Sequence, residues 1–414
     1  MFYIYEFIGL IFIIFSPIIF LLRIISGKED PKRFLEKFCF YSNNHSINKT
    51  VWLHGASVGE ITSVIPIIEN LEKNKKIKKI LLTTSTTSSA SVIKKYKFKK
   101  TIHVFFPIDT NYLTNRFIRY WKPQIAMFID SEIWPNMFKN LNKNKIPIIL
   151  LNGRITKKSF NRWRNFLSFS KNIFGKISLA MPQNIETKNY LKTLGVKKIK
   201  IVGNLKYFGK SKKFIDKNTI KLFKNRLIFC AASTHYNEEL FIGKIHKELK
   251  LKYSNLLTII IPRHANRSIS ITNELENIDL KIITRSSGQK ISKNTDIYIA
   301  DTYGETSKFY GLSNITFLGG SLVPHGGQNP LEPARMGSYI LHGPNIQNFK
   351  EIYIMLSKLK VSSKVNNIPN IKKIVTRKIK SKQSPKVRQK LNFIGNEILE
   401  KNLIEINKYL NESK

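Results

Sequence analysis

Two carboxylates in the first half of this chain follow short apolar runs closely enough to serve as acid or base. Glu60 closes VWLHGASVGE (51–60), where Gly55, Ala56, Ser57 and Gly59 leave room for a substrate against the backbone. A carboxylate there acts as general base if a substrate hydroxyl comes within hydrogen-bond reach. The plainer reading is an acid that complements a helix dipole. Glu132 lies in IAMFIDSEIWPNM (125–137), two residues before Trp134. An acid beside an indole can hold a sugar, with hydroxyls on the carboxylate and a C–H face on the ring. Trp134 reads equally as core filler, and Asp130 or Ser131 as a structural helix cap. His54 reads equally as structural partner or catalyst.

The cations nearby suit an anionic substrate. Arg154, in NGRITKKSFNRW (152–163), can grip a carboxylate or phosphate bidentately. Lys157, Lys158, Arg162 and Arg164 continue a basic face that reads first as solvated. In IVGNLKY (201–207), Asn204 and Lys206 close the first series of elements, where a lysine can reach phosphate; in so Lys-rich a chain a surface lysine is the plain alternative.

The second half offers CAAST (230–234), IPRHANR (261–267) and DTYGETSKFY (301–310), each starting where a strand should end. Arg263 and His264 can donate to anionic groups, and Gly304-Glu305 can open a helix near phosphate or ribose. The densest stretch is GGSLVPHGGQNPLEPARMGSYILHG (319–343). Strand, glycine turn and helix start suit an anion, because free N–H groups and the dipole point at it. Pro330 fits a first helical turn, and Glu332 is placed to take a ribose diol. An ordinary turn also favours Gly, Asn and Pro. Neither a GxGxxG after a strand nor a P-loop is present, which argues against a dinucleotide oxidoreductase and an NTPase.

These residues need a scaffold that brings strand ends together. Apolar runs recur at VWLH, ILLTTS, IHVFF, IAMFI, PIILL, ISLAM and IKIV, and after 209–219 at LIFCAA, LLTIII, LKIIT, DIYIA, NITFL and SYILH. Strands alternating with helical stretches predict parallel sheets covered on both faces, with ligands beyond the carboxyl ends of the strands. With 414 residues, two α/β domains are expected. Residues 7–22, FIGLIFIIFSPIIFLL, carry no charge and are followed by Arg23, Lys28, Lys32 and Arg33. A span needs about 20 apolar residues, so the run predicts a single anchor or a helix sunk deeply into one leaflet. The trailing positive charge places the remainder in the cytoplasm.

A net charge of +43 admits nucleic acid, anionic membrane or acidic substrates as partners. The lysines are spread through the chain and lack interleaved stacking aromatics, so most of the excess reads as compositional bias and some as a membrane surface. Cys39 and Cys230 stand far apart, without metal spacing, which argues against a disulfide framework or zinc site and fits a reducing compartment.

HGASVGE, SEIWPN, NGRIT with KSF, GNLKY, PRH with a following Arg, DTYGE and GGSLVPHGGQNPLEPA, in that order, resemble the Kdo transferase family, which attaches 3-deoxy-D-manno-octulosonic acid to lipid A precursors. The resemblance runs over nearly the whole chain. It implies an α/β GT-B glycosyltransferase fold: two Rossmann-like domains with a cleft between them, plus an N-terminal membrane helix. It also implies CMP-Kdo as donor, inversion at the anomeric carbon and no cofactor or required metal. Laid on this sequence, it gives an anchor over 1–26, an acceptor-binding domain over 27–207 and a linker over 208–219. A CMP-Kdo-binding domain over 220–375 and a helical tail over 376–414 follow. Glu60 matches the family's proposed general base, and Glu132 an acid assisting the acceptor. Arg154, Asn204 and Lys206 match polar positions where positive charge stabilises the leaving CMP phosphate. Ser57 and Gly59 belong to the same acceptor motif as Glu60. Arg263, His264, Gly304, Glu305, Gly319, Gly320, Ser321, Asn329 and Glu332 match the nucleotide side. Gly153, Lys158 and Thr306 depart from the usual Ala, Arg and Leu, and leave fine acceptor contacts open.

Two rival readings make different demands. A GT-B enzyme with a nucleotide diphosphate sugar would be protected by a different nucleotide. A membrane-bound nucleic-acid binder would show steeply salt-dependent binding and leaves Glu60 and Glu332 without a task.

Overall fold

Short runs of β-branched and large apolar residues form strands wherever both faces of a sheet can be covered, and the chain supplies thirteen among its described residues. The computed structural model describes residues 1–41, 50–209, 217–381 and 385–412. The expected linker over 208–219 lies largely outside these, at 210–216. Two compact units result: Met1–Phe208 with Ile394–Lys414, and Gly209–Phe393.

In the first unit the strands are β1 (Thr50–His54), β2 (Ile80–Thr84), β3 (Thr101–Phe105), β4 (Pro123–Ile129), β5 (Ile148–Gly153) and β6 (Leu179–Pro182). They form one parallel sheet in the order β3-β2-β1-β4-β5-β6. Every residue of β1, β2 and β5 is buried, as expected when helices cover both faces. Trp52, Phe117, Phe128 and Phe138 fill one side, and Leu53, Ile61, Ile68 and Met127 the other. The chain leaves β3 to return beside β1, so the order reverses between β1 and β4. Their carboxyl ends are His54 and Ile129, and the crevice outside such a reversal is where open α/β sheets bind ligands.

The second unit holds β7 (Leu227–Thr234), β8 (Leu256–Pro262), β9 (Ile282–Thr284), β10 (Ile297–Ile299), β11 (Ile315–Leu318), β12 (Tyr339–His342) and β13 (Ser362–Lys364). They run parallel in the order β13-β12-β11-β7-β8-β10-β9, around a core that includes Phe229, Ile260, Phe317 and Leu341. Here the reversal lies between β7 and β11.

One expected strand is absent, and one strand was not expected. IKIV (199–202) makes only an isolated bridge, Ala180 to Ile199, and no strand. β13 went unread because Ser-Ser-Lys has neither the length nor the apolarity of a strand signal. In the tail over 376–414, whose periodic run calls for a packing surface, the last helix, Pro385–Glu412, joins the first unit from Ile394 onward. The apolar stripe of that helix explains the return, since Ile398, Leu399, Ile406 and Tyr409 bury in the first core. Tyr409 also donates to the Ser178 carbonyl at 3.0 Å. Gly395 permits the approach, because a Cβ there would collide with the Tyr207 backbone.

The apolar N-terminus forms a helix over Phe2–Ile25, long and apolar enough to cross a membrane by length and composition.

Candidate active site

At the reversal of the first sheet, helix Val58–Lys73 starts where β1 ends. Ser57 caps it and Glu60 closes a capping box: the Glu60 N–H donates to Ser57 Oγ at 3.3 Å, and Glu60 Oε2 accepts from the Ala56 N–H at 2.7 Å. The Ser57 hydroxyl donates to Glu60 Oε1 at 2.8 Å. The helix-terminus reading of Glu60 is therefore realised. Capping alone would lower the pKa of this carboxyl, yet it lies above the ordinary value. Burial is the main cause, the negative charge of Glu132 the next; the bonds from Ser57 and Ala56 oppose them, and Asp130 adds a smaller push upward. A carboxyl tuned upward by burial and neighbouring acids is the common condition of a general base.

Glu132 is held differently. His54, fully buried, meets Glu132 Oε2 through Nε2 at 3.1 Å, and Trp134 Nε1 donates to the same oxygen at 2.9 Å. Thr83 Oγ1 accepts from Trp52 Nε1 at 2.9 Å and lies 2.9 Å from His54 Nδ1. A carboxylate only accepts, so the hydrogen of the His54–Glu132 bond sits on Nε2. Burial works to raise the Glu132 pKa, but the bonds from His54 and Trp134 outweigh it and hold it below the ordinary value. Two carboxyls in one cluster are thus pushed apart, Glu60 up and Glu132 down, a division that assigns different tasks to similar groups.

Lys206 and Arg154 supply the countercharge. Lys206 Nζ lies 3.8 Å from Asp130 Oδ2, and the Arg154 N–H donates to the Asp130 carbonyl at 3.0 Å. Asp130, at φ 61°, is buried; burial raises its pKa while Lys206 and Arg154 pull it down. Asn204 accepts the Lys206 N–H at 2.9 Å and donates to Gln183 Oε1 at 2.9 Å, fixing the short turn that carries the lysine. Asp130, read as structural, therefore belongs to the charged cluster. Gly59 faces open space: a Cβ at that position would meet nothing within 4 Å.

The second unit answers the anion-site expectation with a correction. The loop after β11 does present a row of N–H groups, but Glu238 already occupies them. Its Oε2 accepts from Gly320 at 2.7 Å and His235 at 2.9 Å, and its Oε1 from Ser321 at 3.1 Å and Leu322 at 3.0 Å. The Gly319 N–H goes to the Ala232 carbonyl, and the Ser321 hydroxyl to Leu318. Gly319, Gly320 and Ser321 therefore shape the loop around an internal carboxylate and have no backbone donor left for phosphate. Helix Leu331–Met336 is short, Pro330 stands at its N-cap rather than inside it, and its Leu331 N–H is taken by Asn329 Oδ1 at 3.1 Å. Glu332 is exposed on this helix. Glu305 is tied within its own loop by Thr302, Arg285 and Lys308, which hold its pKa down to about 2. Gly304, at φ 86°, is exposed and turns the chain there.

What sequence reading passed over lies just beyond CAAST. His235 stacks on His325, ring centroids 4.2 Å apart. Burial, His325, His264 and Arg263 push its pKa down to about 4, against a backbone hydrogen bond at Ser233. The reversal of the second sheet thus gathers His235, His325, His264 and Arg263, with the last two exposed. The signal was available: THYNE after β7 repeats the strand, turn and acid order of HGASVGE after β1.

A sequence model of the family described as 3-Deoxy-D-manno-octulosonic-acid transferase (kdotransferase) matches residues 32–208. The 3-deoxy-D-manno-octulosonic acid transferase of Haemophilus influenzae is 31% identical over 380 residues, 90% of this chain and 88% of that one. The enzyme of the same name from Rickettsia bellii is 29% identical over 351 residues, covering 84% of each chain. Among solved structures, the UDP-GlcNAc 2-epimerase of Neisseria meningitidis bound to UDP-GlcNAc matches with a TM-score of 0.59 at 14% identity, over 88% of this chain and 100% of that one. That likeness is one of fold: two parallel-sheet α/β domains of the GT-B kind.

Proposed function

This chain belongs to the 3-deoxy-D-manno-octulosonic acid (Kdo) transferase family of glycosyltransferases, and from that premise we propose that it moves Kdo from CMP-Kdo to a lipid A precursor, with inversion and with Glu60 as general base. The observation that carries the reading is the place of Glu60, on the helix start after β1 at the strand reversal of the first unit, where burial and the charges of Glu132 and Asp130 push its carboxyl upward. Glu60 takes the proton of an acceptor sugar hydroxyl as that oxygen attacks the anomeric carbon of Kdo. The bond from that carbon to the CMP phosphate oxygen breaks, and CMP leaves with the electron pair. Attack opposite the leaving group inverts the centre. Glu132, ionised and anchored by His54 and Trp134, orients acceptor hydroxyls.

Donor binding calls for cations, since Kdo carries a carboxylate and CMP a phosphate. Each unit presents its own: Lys206 and Arg154 beside Asp130 in the first, and Arg263 and His264 after β8 in the second. Gly304, Glu305, Asn329 and Glu332 are assigned to the nucleotide; Gly319, Gly320 and Ser321 serve it through the loop that Glu238 shapes. The apolar helix Phe2–Ile25 and the surrounding lysines hold the protein to the cytoplasmic face of an inner membrane, each well-placed basic residue adding about 1 kcal/mol at an anionic surface.

The decisive test is incubation with CMP-Kdo and tetraacyl lipid A precursor, followed by mass spectrometry of the lipid. Addition of one or more Kdo masses is expected. Transfer from a UDP-sugar with none from CMP-Kdo would overturn the donor assignment.

A further inference from the structure

The helix Phe2–Ile25 has two unlike faces. Phe2, Tyr5, Gly9, Ser16, Phe20 and Arg23 recur at helical intervals and make one stripe. That stripe meets the first unit near both ends of the helix. Phe2 meets Phe169 with ring centroids 6.0 Å apart, and the Tyr5 hydroxyl donates to Asp109 Oδ2 at 2.8 Å. Phe20 packs edge-on against Phe38 at 5.4 Å, and Arg23 Nε pairs with Glu29 at 3.1 Å. The opposite face, with Phe7, Leu10, Ile14, Ile18 and Leu21, is more than half exposed at each position. A helix held near both ends, with an apolar face turned outward, offers that face to a lipid surface.

Docking is incomplete at its middle. Between the helix and the sheet ends is a cavity of about 530 Å³, walled by Ile8, Phe12 and Ile19 of the helix and by Phe106, Ile108 and Trp134 of the body. Its size is that of a small-molecule site, and its walls are mostly apolar. Arg23 and Lys37 also line it; both lean on the carboxylate of Glu29, at 3.1 and 2.7 Å. Asp109, the acid in the wall, is occupied by Tyr5 and by the N–H groups of Asn136 and Met137. Trp134 connects the cavity to the carboxylate cluster, since its indole N–H is bonded to Glu132.

We propose that this cavity receives one acyl chain of the lipid acceptor, drawn from the membrane beneath the helix, so that the acceptor's sugar is presented to Glu60 and Glu132. The apolar walls exclude a sugar or nucleotide. The exposed apolar face of the helix sets the opening at membrane depth. The proposal rests on the reading that the acceptor is a lipid.

Its test is direct. Full-length protein is mixed with tetraacyl lipid A precursor carrying a brominated acyl chain, without CMP-Kdo, and tryptophan emission is recorded. Quenching is expected, and Trp134→Phe should remove most of it. The paired variant Ile19→Phe with Ile108→Phe, which fills the cavity, should raise KM for the acylated acceptor tenfold or more. It should leave KM for CMP-Kdo, and turnover with a deacylated acceptor, unchanged. Ile14→Phe, on the outward face, should keep wild-type KM values. Absence of quenching, equal quenching by a brominated phospholipid, or an unaltered acceptor KM in the filled variant would each overturn the proposal. Since quenching needs no donor, quenching without any transfer from CMP-Kdo would refute the donor reading and leave the acyl site standing.

Discussion

His54 and Glu132 are joined Nε2 to Oε2 at 3.1 Å, with the imidazole fully buried and stacked 3.9 Å from the ring of Phe106. The histidine is thus committed to positioning a carboxylate, and the residue it positions is the one whose charge helps raise the pKa of Glu60. Glu132→Gln keeps a carbonyl oxygen to accept from His54 and Trp134 but removes the charge. The Glu60 pKa should then fall toward its ordinary value, and the acid limb of the kcat/KM profile should move to lower pH. An acid limb that stays in place would show that Glu132 does not tune Glu60. Glu132→Ala, by contrast, orphans the buried His54 donor and should cost about 1–3 kcal/mol in urea unfolding.

Glu60 has two tasks, and two substitutions separate them. Ser57→Ala removes the cap and half of the capping box, which should cost about 1 kcal/mol of stability while leaving most turnover in place. Glu60→Gln still accepts from the Ala56 N–H but cannot take a proton. Its kcat should fall about 10²–10⁴-fold, with stability within about 1 kcal/mol of wild type and CMP protection intact. Steady-state kinetics beside urea melts reads both. Turnover retained in Glu60→Gln would reduce the residue to a helix cap.

How much of this was legible before folding depended on the range of each signal. The alternation of apolar runs and helical stretches is local, so the two sheets, the strand ends and the site motifs at them could be read. Glu60 and Glu132 stood out because each follows a buried strand within a few residues. The Glu238 bonds to the loop at 320–322 could not be read, since they join positions more than eighty residues apart. An internal carboxylate and an external phosphate both call for Gly-rich N–H donors, and sequence alone does not distinguish them. That the last helix must pack was legible in its apolar stripe, but the surface that receives it was not, because it is formed some two hundred residues earlier.

The Glu238 loop carries its own prediction. Glu238→Ala leaves the N–H groups of His235, Gly320, Ser321 and Leu322 without their acceptor, and each orphaned buried donor costs about 1–3 kcal/mol. The second unit should therefore unfold at lower urea by several kcal/mol. All four tryptophans, at 52, 121, 134 and 163, lie in the first unit. Far-UV circular dichroism should then show an early transition that tryptophan emission does not, with thermal protection by CMP lost. Coincident transitions at the wild-type midpoint would mean that the loop holds its shape without Glu238.

His103, on β3, sets a pH dependence for the first unit. Arg33 Nη2 stands 3.2 Å from His103 Nδ1, and Thr84 Oγ1 lies 2.9 Å from Nε2. A guanidinium only donates, so Nδ1 must accept and the ring is neutral, with its proton on Nε2 toward Thr84. Burial, then the charges of Arg33 and Lys94, push the pKa down to about 3. Unfolded, the same histidine titrates near its ordinary value of about 6.5. Between these pH values the unfolded chain binds more protons than the folded one, so stability is full above pH 6.5 and is lost as pH falls toward 3. Urea midpoints followed by tryptophan emission should decline over that window by an amount on the order of a few kcal/mol. His235, depressed to about 4, lies in the second unit and should contribute chiefly to the circular dichroism signal. His103→Gln, which keeps an amide to face Thr84 and a carbonyl to face Arg33, should flatten the tryptophan-detected slope. An equally steep slope in that variant would assign the acid sensitivity to other groups.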